Sequence, residues 1–311
     1  MKEKRIYQCE DSLEGIFSAV YIAWASRYGH DNIELEVLGM EEEYNLRLFS
    51  EYIMVESNPE NASKVANSIK KKISAHAYQM VAKAALSNDK RKANAIYHFL
   101  VRGFAYGAKV EDHLSDPYVQ IIFELNRNVG NDAHLYTGFV RFTELDNGIL
   151  FAKIEPKNNV LEIITPHFAD RLSKENFMIL DVKRKIATIH RSYSTWILTT
   201  ISDEELNTLL TVTEKKEKYE KLWKTFFESI AIKERENKVC QRNHVAMHYR
   251  KYMTEFMEDK EDKEDKVDKE DKVDKEDKVD KEDKEDRVDK EDRVVKEDKV
   301  VIEVKIENEG K

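Results

Sequence analysis

The chain has 311 residues, with 52 Lys and Arg against 61 Asp and Glu, for a formal net charge of −9. That acidity sits at one end: the stretch 258–311 holds 16 basic and 25 acidic residues, leaving 36 of each sign in 1–257. A neutral body of this length and ordinary apolar content can bury a real core without disulfide or metal staples, and the low overall charge does not argue against an anionic partner for it.

In chain order, Arg5 to Gln8 reads as a short strand. Asp11-Ser12-Leu13-Glu14-Gly15 then leads into a helix in which Ile16, Val20, Ala23 and Trp24 recur at helical spacing. An alanine-rich stretch from about Asn61 to Leu86 places Val65, Ile69, Ile73 and Met80 near one face, and a further helix from Asp89 steps through Ala93, Ile96, Tyr97, Leu100 and Phe104. Asp116-Pro117 is a helix start, because the carboxylate can accept orphan N–H bonds and proline tolerates the first helical position; that helix is expected to run to about Asn128.

The period then changes to alternation. GFVRFTEL, Asn147-Gly148 and ILFAKIEP predict a β-hairpin, since Asn-Gly supplies the positive-φ turn, and VLEII, FMILD, ATIHR and TWILTT extend the sheet, with a short helix from Thr165-Pro166 through HFADRLS. From Tyr219 the positions Leu222, Trp223, Phe226, Phe227 and Ile230 form an apolar helical stripe expected in the core. A helix from about Ile232 to Gln241 comes next. The class is α+β: a mostly antiparallel sheet of about five or six strands over 137–200, bracketed by N-terminal and C-terminal helices. The domain boundary is placed at 257. Beyond it, KEDKVD hexads at 263–268, 269–274 and 275–280 space their valines six apart, which fits neither a 3.6 period nor a heptad, so 258–311 is expected to be disordered or a solvated helix.

Chemistry-bearing signatures are sparse. There is no Gly-rich phosphate loop, HExxH, GxSxG or CxxxCxxC, so neither a metal nor a cofactor is expected. Cys9 and Cys240 stand far apart without a CxxC, which favours a reducing compartment, and no run of 18 apolar residues or apolar leader occurs; the expected location is the cytoplasm, with no membrane partner.

Several polar residues remain. Arg141 needs a carboxylate or a phosphate; Glu155 or Asp181 would make it structural. His134 precedes the expected strand and could reach the same pocket. His167 and Arg171 lie four apart near the start of their expected helix, where free N–H groups favour an anion, although the same pair could simply close the sheet edge. Lys183 and Arg184 lie in a turn suited to a phosphate backbone, as are many exposed turns. Arg235, Asn237, Lys238, Gln241 and Arg242 mix cations with amides, as helices facing nucleic acid do, but Glu234 and Glu236 dilute their charge as on an ordinary solvated face.

Taken together, SLEG near the start, DP at 116–117, HLYTGFVRFTELDNGILFAKIEP at 134–156, HFADR at 167–171, MILDVKR at 178–184 and LWKTFFESIAIKERENKVCQ at 222–241 give the body a family resemblance. It resembles a bacterial family of DNA metabolism or DNA repair proteins linked to a radical SAM protein and defined by a domain of unknown function. In a related architecture that domain precedes a uracil-DNA-glycosylase-like domain, which has no counterpart in this chain. Those relatives carry a Met-Pro-Lys-Lys-Tyr-Trp-like stretch near the end, where this chain reads Val245-Ala246-Met247-His248-Tyr249-Arg250.

The resemblance implies a DNA-related role and a radical SAM partner, and supplies no catalytic residues. Three functions stay open on the sequence: an accessory protein that binds DNA or another nucleic acid and works with that partner; a hydrolase or lyase using His134 or His167 with Arg141 or Arg171; and a protein-binding adaptor.

Overall fold

The computed structural model describes residues 3–39, 47–145, 147–212, 223, 225–226, 229–230 and 237–256. The charged stretch 258–311 therefore lies outside the described residues, as do Arg235 and, from the apolar stripe, Tyr219, Leu222 and Phe227.

The chain opens with β1 (Lys4–Cys9), α1 (Leu13–Ala25), β2 (Ile33–Val37) and β3 (Ser50–Val55). These three strands pair in parallel in the order β2-β1-β3, so β1 is central and buried from Ile6 to Cys9. Neither β2 nor β3 figures among the sequence expectations; both are short, and β2 is interleaved with Glu34 and Glu36, as edge strands can be. Ser12 caps α1 by accepting from the Gly15 amide at 2.9 Å.

The alanine-rich stretch is two helices, α2 (Pro59–Lys72) and α3 (Ala75–Ala85). It breaks at Ser74 because that side chain caps α3 through the Ala77 amide, 2.8 Å away. Next come α4 (Lys92–Tyr106) and α5 (Pro117–Phe139). Asp116 caps α5 as expected, accepting from the amides of Tyr118 at 2.8 Å and Val119 at 3.4 Å. The helix runs eleven residues past Asn128. Its buried positions Val119, Ile122, Leu125, Val129, Ala133 and Tyr136 step three or four residues throughout, so GFVRF begins as helix instead of strand.

The chain then forms a five-stranded mixed sheet in the order β4-β5-β6-β7-β8: β4 (Thr143–Glu144), β5 (Leu150–Ile154), β6 (Phe177–Asp181), β7 (Ile186–His190) and β8 (Trp196–Thr200). Three of its four pairings are antiparallel, and β5–β6 is parallel. The Asn147-Gly148 turn forms as expected, with Gly148 at φ +76°. VLEII is not a strand: it lies within α6 (Leu161–Arg171) and the residue before it, in the crossover from β5 to β6, and Leu161, Ile164, Thr165 and Phe168 are the buried stripe of that helix. Parallel neighbours need such a crossover. Pro166 sits inside this helix and is exposed.

After the sheet come α7 (Asp203–Val212), α8 (Lys238–His244) and α9 (Met247–Arg250). Trp223, Phe226 and Ile230, the described residues of the apolar stripe, are 42%, 52% and 58% exposed and so are not core.

Two apolar clusters meet along α5. One gathers β1, α1 and α2–α4 with α5 as far as Leu125; the other packs Ala133 and Tyr136 against β5, α6 and β6.

Candidate functional site

The parallel pair β5–β6 ends at Ile154 and Asp181, which are register partners. Carboxyl ends of parallel strands are where chain leaves the sheet and where sites form in open sheets.

Asp181 is fully buried, and its carboxylate organises the turn after it: Oδ1 accepts from the amides of Lys183 and Arg184, both at 3.1 Å, and Oδ2 from Arg184 Nη1 at 2.8 Å. Burial pushes the Asp181 carboxyl up, against the pull of Arg184. The same guanidinium donates to the carbonyls of Pro156 at 3.0 Å and Lys157 at 2.5 Å, which pins the segment after β5 to the β6–β7 turn.

A second buried carboxylate stands behind that segment. Asp132, on α5, is 5% exposed; its Oδ2 accepts from the Asn158 amide at 3.1 Å and from Asn158 Nδ2 at 3.0 Å, and its Oδ1 from the Tyr249 hydroxyl at 2.7 Å. Asn158 Oδ1 in turn accepts from the Asn88 amide at 3.0 Å, and the Asn159 amide donates to Leu86 O at 2.9 Å. One carboxylate thus joins α5, the segment after β5 and α9, while Asn158 and Asn159 tie that segment to the turn between α3 and α4.

Aromatic rings surround it. The Tyr249 ring lies 5.1 Å from Tyr136, 5.3 Å from Phe139 and 4.0 Å from the His248 imidazole. Burial, then the charges of Asp132, Tyr249, Asp181 and Glu155, pushes the Tyr136 hydroxyl far up, so it stays a neutral phenol. Tyr249 is likewise raised by burial and its bond to Asp132. Burial, and then the Lys157 ammonium, holds His248 below the usual imidazole range. Lys251 pairs with Glu155, and Tyr252 donates to the same carboxylate at 3.3 Å.

The expected site residues divide. Lys183 and Arg184 are at this site, Lys183 exposed and Arg184 committed to Asp181. Arg141 pairs with neither Glu155 nor Asp181 but with Glu255, at 2.6 and 3.2 Å; burial alone would raise Glu255, and Arg141 leaves it below the carboxylate range. His134 is exposed on α5. His167 and Arg171 are exposed in the second half of α6, not at its N-terminus, because the helix starts six residues before His167; the free N–H groups expected beside them lie at Leu161 instead. No hydrogen bond, ion pair or ring contact joins any two of His134, Arg141, His167 and Arg171 among the described residues.

Asn237 is the cap of α8, accepting from the Cys240 amide at 2.9 Å. The described part of the expected helix thus begins at Asn237, and Arg235 lies outside the described residues. Lys238 and Gln241 are exposed on α8; the Arg242 side chain lies outside the description. Asp132, Tyr136, Asn158, Asn159, His248 and Tyr249 are the residues that sequence reasoning missed. Their only signal was the position of Tyr249 in the stretch where the relatives carry a Lys-Tyr-Trp sequence.

Cys9 is buried and Cys240 exposed, both as free thiols, with Cys9 pushed up to about 12 by burial and Asp11. Among the described residues no group of three His, Cys, Asp or Glu is placed to hold a metal ion, and no helix is long and apolar enough to cross a membrane.

Among solved structures, the chain has some likeness to a DHH domain described as a member of a family of ribosomal proteins, with 10% identity over 61% of this chain and 74% of that one and a TM-score of 0.30. No curated protein matches. A family profile, the domain of unknown function DUF4130, matches residues 90–255, just over half the chain, a stretch that includes Asp132, Asn158, Asp181 and Tyr249. The chain belongs to the DUF4130 family.

Proposed function

We propose that this chain binds nucleic acid as an accessory protein of DNA metabolism, through the face built at the carboxyl ends of β5 and β6, and works with a separate radical SAM protein. One observation carries the binding reading. The fold gathers Lys157, Lys183 and Arg184 from two turns, and sets His248 from a third segment in the field of Lys157, against the Tyr249 ring.

Lys157 and Lys183 are exposed and have no ion-pair partner among the described residues, so they are available to phosphate oxygens. Cations beside aromatic rings are what single-strand binding surfaces use: phosphates fix the backbone and rings stack the bases. The radical SAM partner rests on the sequence resemblance alone.

The test is binding of the full chain to short DNA and RNA strands, with Lys157→Glu/Lys183→Glu as the variant. Binding weakened at least tenfold, in a variant that melts normally, is the expected result. Equal binding by both proteins removes this face, and no binding by the wild type removes the function. Co-purification with the radical SAM protein tests the second half separately; its absence removes the partner and leaves the binding reading standing.

A further inference from the structure

Of the strands that end a sheet, β2 carries Glu34 and Glu36, β3 carries Glu51 and β4 carries Glu144. Such charges guard an open edge against pairing with another chain. β8, the remaining edge, has none. Its run Trp196-Ile197-Leu198-Thr199-Thr200 is free of charge, proline and glycine, and Ile197 and Leu198 are 58% and 42% exposed.

The backbone of that edge is open as well. β8 is antiparallel to β7, and just past their ladder the Ile201 amide donates to Lys185 O at 2.8 Å. Antiparallel bonding alternates along a strand, so Ile197 and Thr199 turn their N–H and C=O toward β7, while Trp196, Leu198 and Thr200 turn theirs outward. Among the described residues no backbone group takes up those outward donors and acceptors.

The occupant this strand fits is another copy of itself. Leu198 is both the middle residue of β8 and an outward one, so an antiparallel two-fold pairing sets it opposite the second copy's Leu198. In the same register Trp196 faces Thr200, and every outward N–H and C=O of the strand meets a partner. Ile197 faces Thr199, and aromatic or β-branched neighbours of this kind stabilise paired strands. Charge agrees at the two ends. The turn before β8 exposes Arg191, and the chain after it exposes Glu204, whose neighbour Asp203 is taken by Lys185; neither Arg191 nor Glu204 has an ion-pair partner among the described residues. Antiparallel pairing brings the Arg191 end of one copy to the Glu204 end of the other. A nucleic acid, by contrast, would need cations that the strand lacks.

We propose that β8 pairs with β8 of a second copy of this chain, joining the two five-stranded sheets into one across a two-fold axis at Leu198. The inference is independent of the nucleic-acid reading, which concerns the ends of β5 and β6.

The test is sedimentation equilibrium of the full chain over a range of concentrations, as wild type and as the single variants Leu198→Lys and Leu198→Glu. The wild type is expected at twice the 36.6 kDa mass of one chain. Each variant sets like charges opposite each other across the axis and should weaken the dimer at least about tenfold, whereas an equimolar mixture of the two should restore it. Should the variants misfold, hydrogen exchange of the wild type reads the same contact. The Leu198 and Thr200 amides should then slow as concentration rises, with the Ile197 and Thr199 amides slow throughout. A wild type that keeps the mass of one chain overturns the proposal, as does a dimer that both folded variants retain. So does a mixture of folded variants that stays monomeric, or outward amides that exchange equally fast at every concentration.

Discussion

Asp132 holds three hydrogen bonds from two segments that are distant in sequence, and all three need an acceptor. Asp132→Asn turns one oxygen into a donor facing a donor, so it should destabilise the chain by about 2–3 kcal/mol, measured by denaturant titration. Tyr249→Phe removes one charged hydrogen bond while keeping the ring, and should cost about 1.5 kcal/mol by the same measurement. His248 and His98 are both held below the ordinary imidazole value of 6.5, chiefly by burial. Above that value both states are neutral; below it the unfolded chain binds the proton more readily, so stability should fall as pH drops from 6.5 through the lower folded values. A melting temperature that stays flat between pH 7 and about pH 5 would contradict this. Little at this scale was legible in the sequence. Lys183 and Arg184 could be picked out because a charged turn after a strand is visible locally, whereas Asp132 and Tyr249, 117 residues apart, become partners only through the fold.

Elements were legible wherever a cap and a period agreed. Ser12 and Asp116 mark their helices in the sequence and in the structure. VLEII misled because a short β-branched run suits a strand, and the stripe that makes it helical reaches past Pro166 to Phe168. Asn128 misled because Asn and Gly cluster at 126–131, where Gly130 serves close approach: a Cβ there would lie 2.6 Å from Lys83 Nζ. That neighbour is the far end of a flexible side chain and can swing aside. Gly130→Ala should therefore be neutral or stabilise by up to about 1 kcal/mol through helix propensity. Gly15 differs, since its Cβ would meet the backbone oxygen of Glu10 at 2.6 Å. Gly15→Ala should destabilise by about 2 kcal/mol, because strand β1 or helix α1 must shift. Thermal melts of the two variants should move in different directions, or the Gly130 variant not at all.

At the scale of the whole molecule, α5 is the member that both apolar clusters share, so residues 3–256 should unfold in one transition by fluorescence and by circular dichroism. Charge acts at the same scale. Removing 258–311 takes the chain from −9 to neutral and withdraws a repulsive field from any anionic ligand, so the shortened chain should bind nucleic acid more tightly at low salt.

If the face after β5 and β6 holds phosphates through Lys157 and Lys183, binding must release counterions there. The most direct test is the dependence of affinity on salt concentration, wild type against Lys157→Glu/Lys183→Glu. The expected result is a steep linear fall of log affinity with log salt for the wild type and a slope smaller by about 2 for the variant. Identical slopes would contradict it.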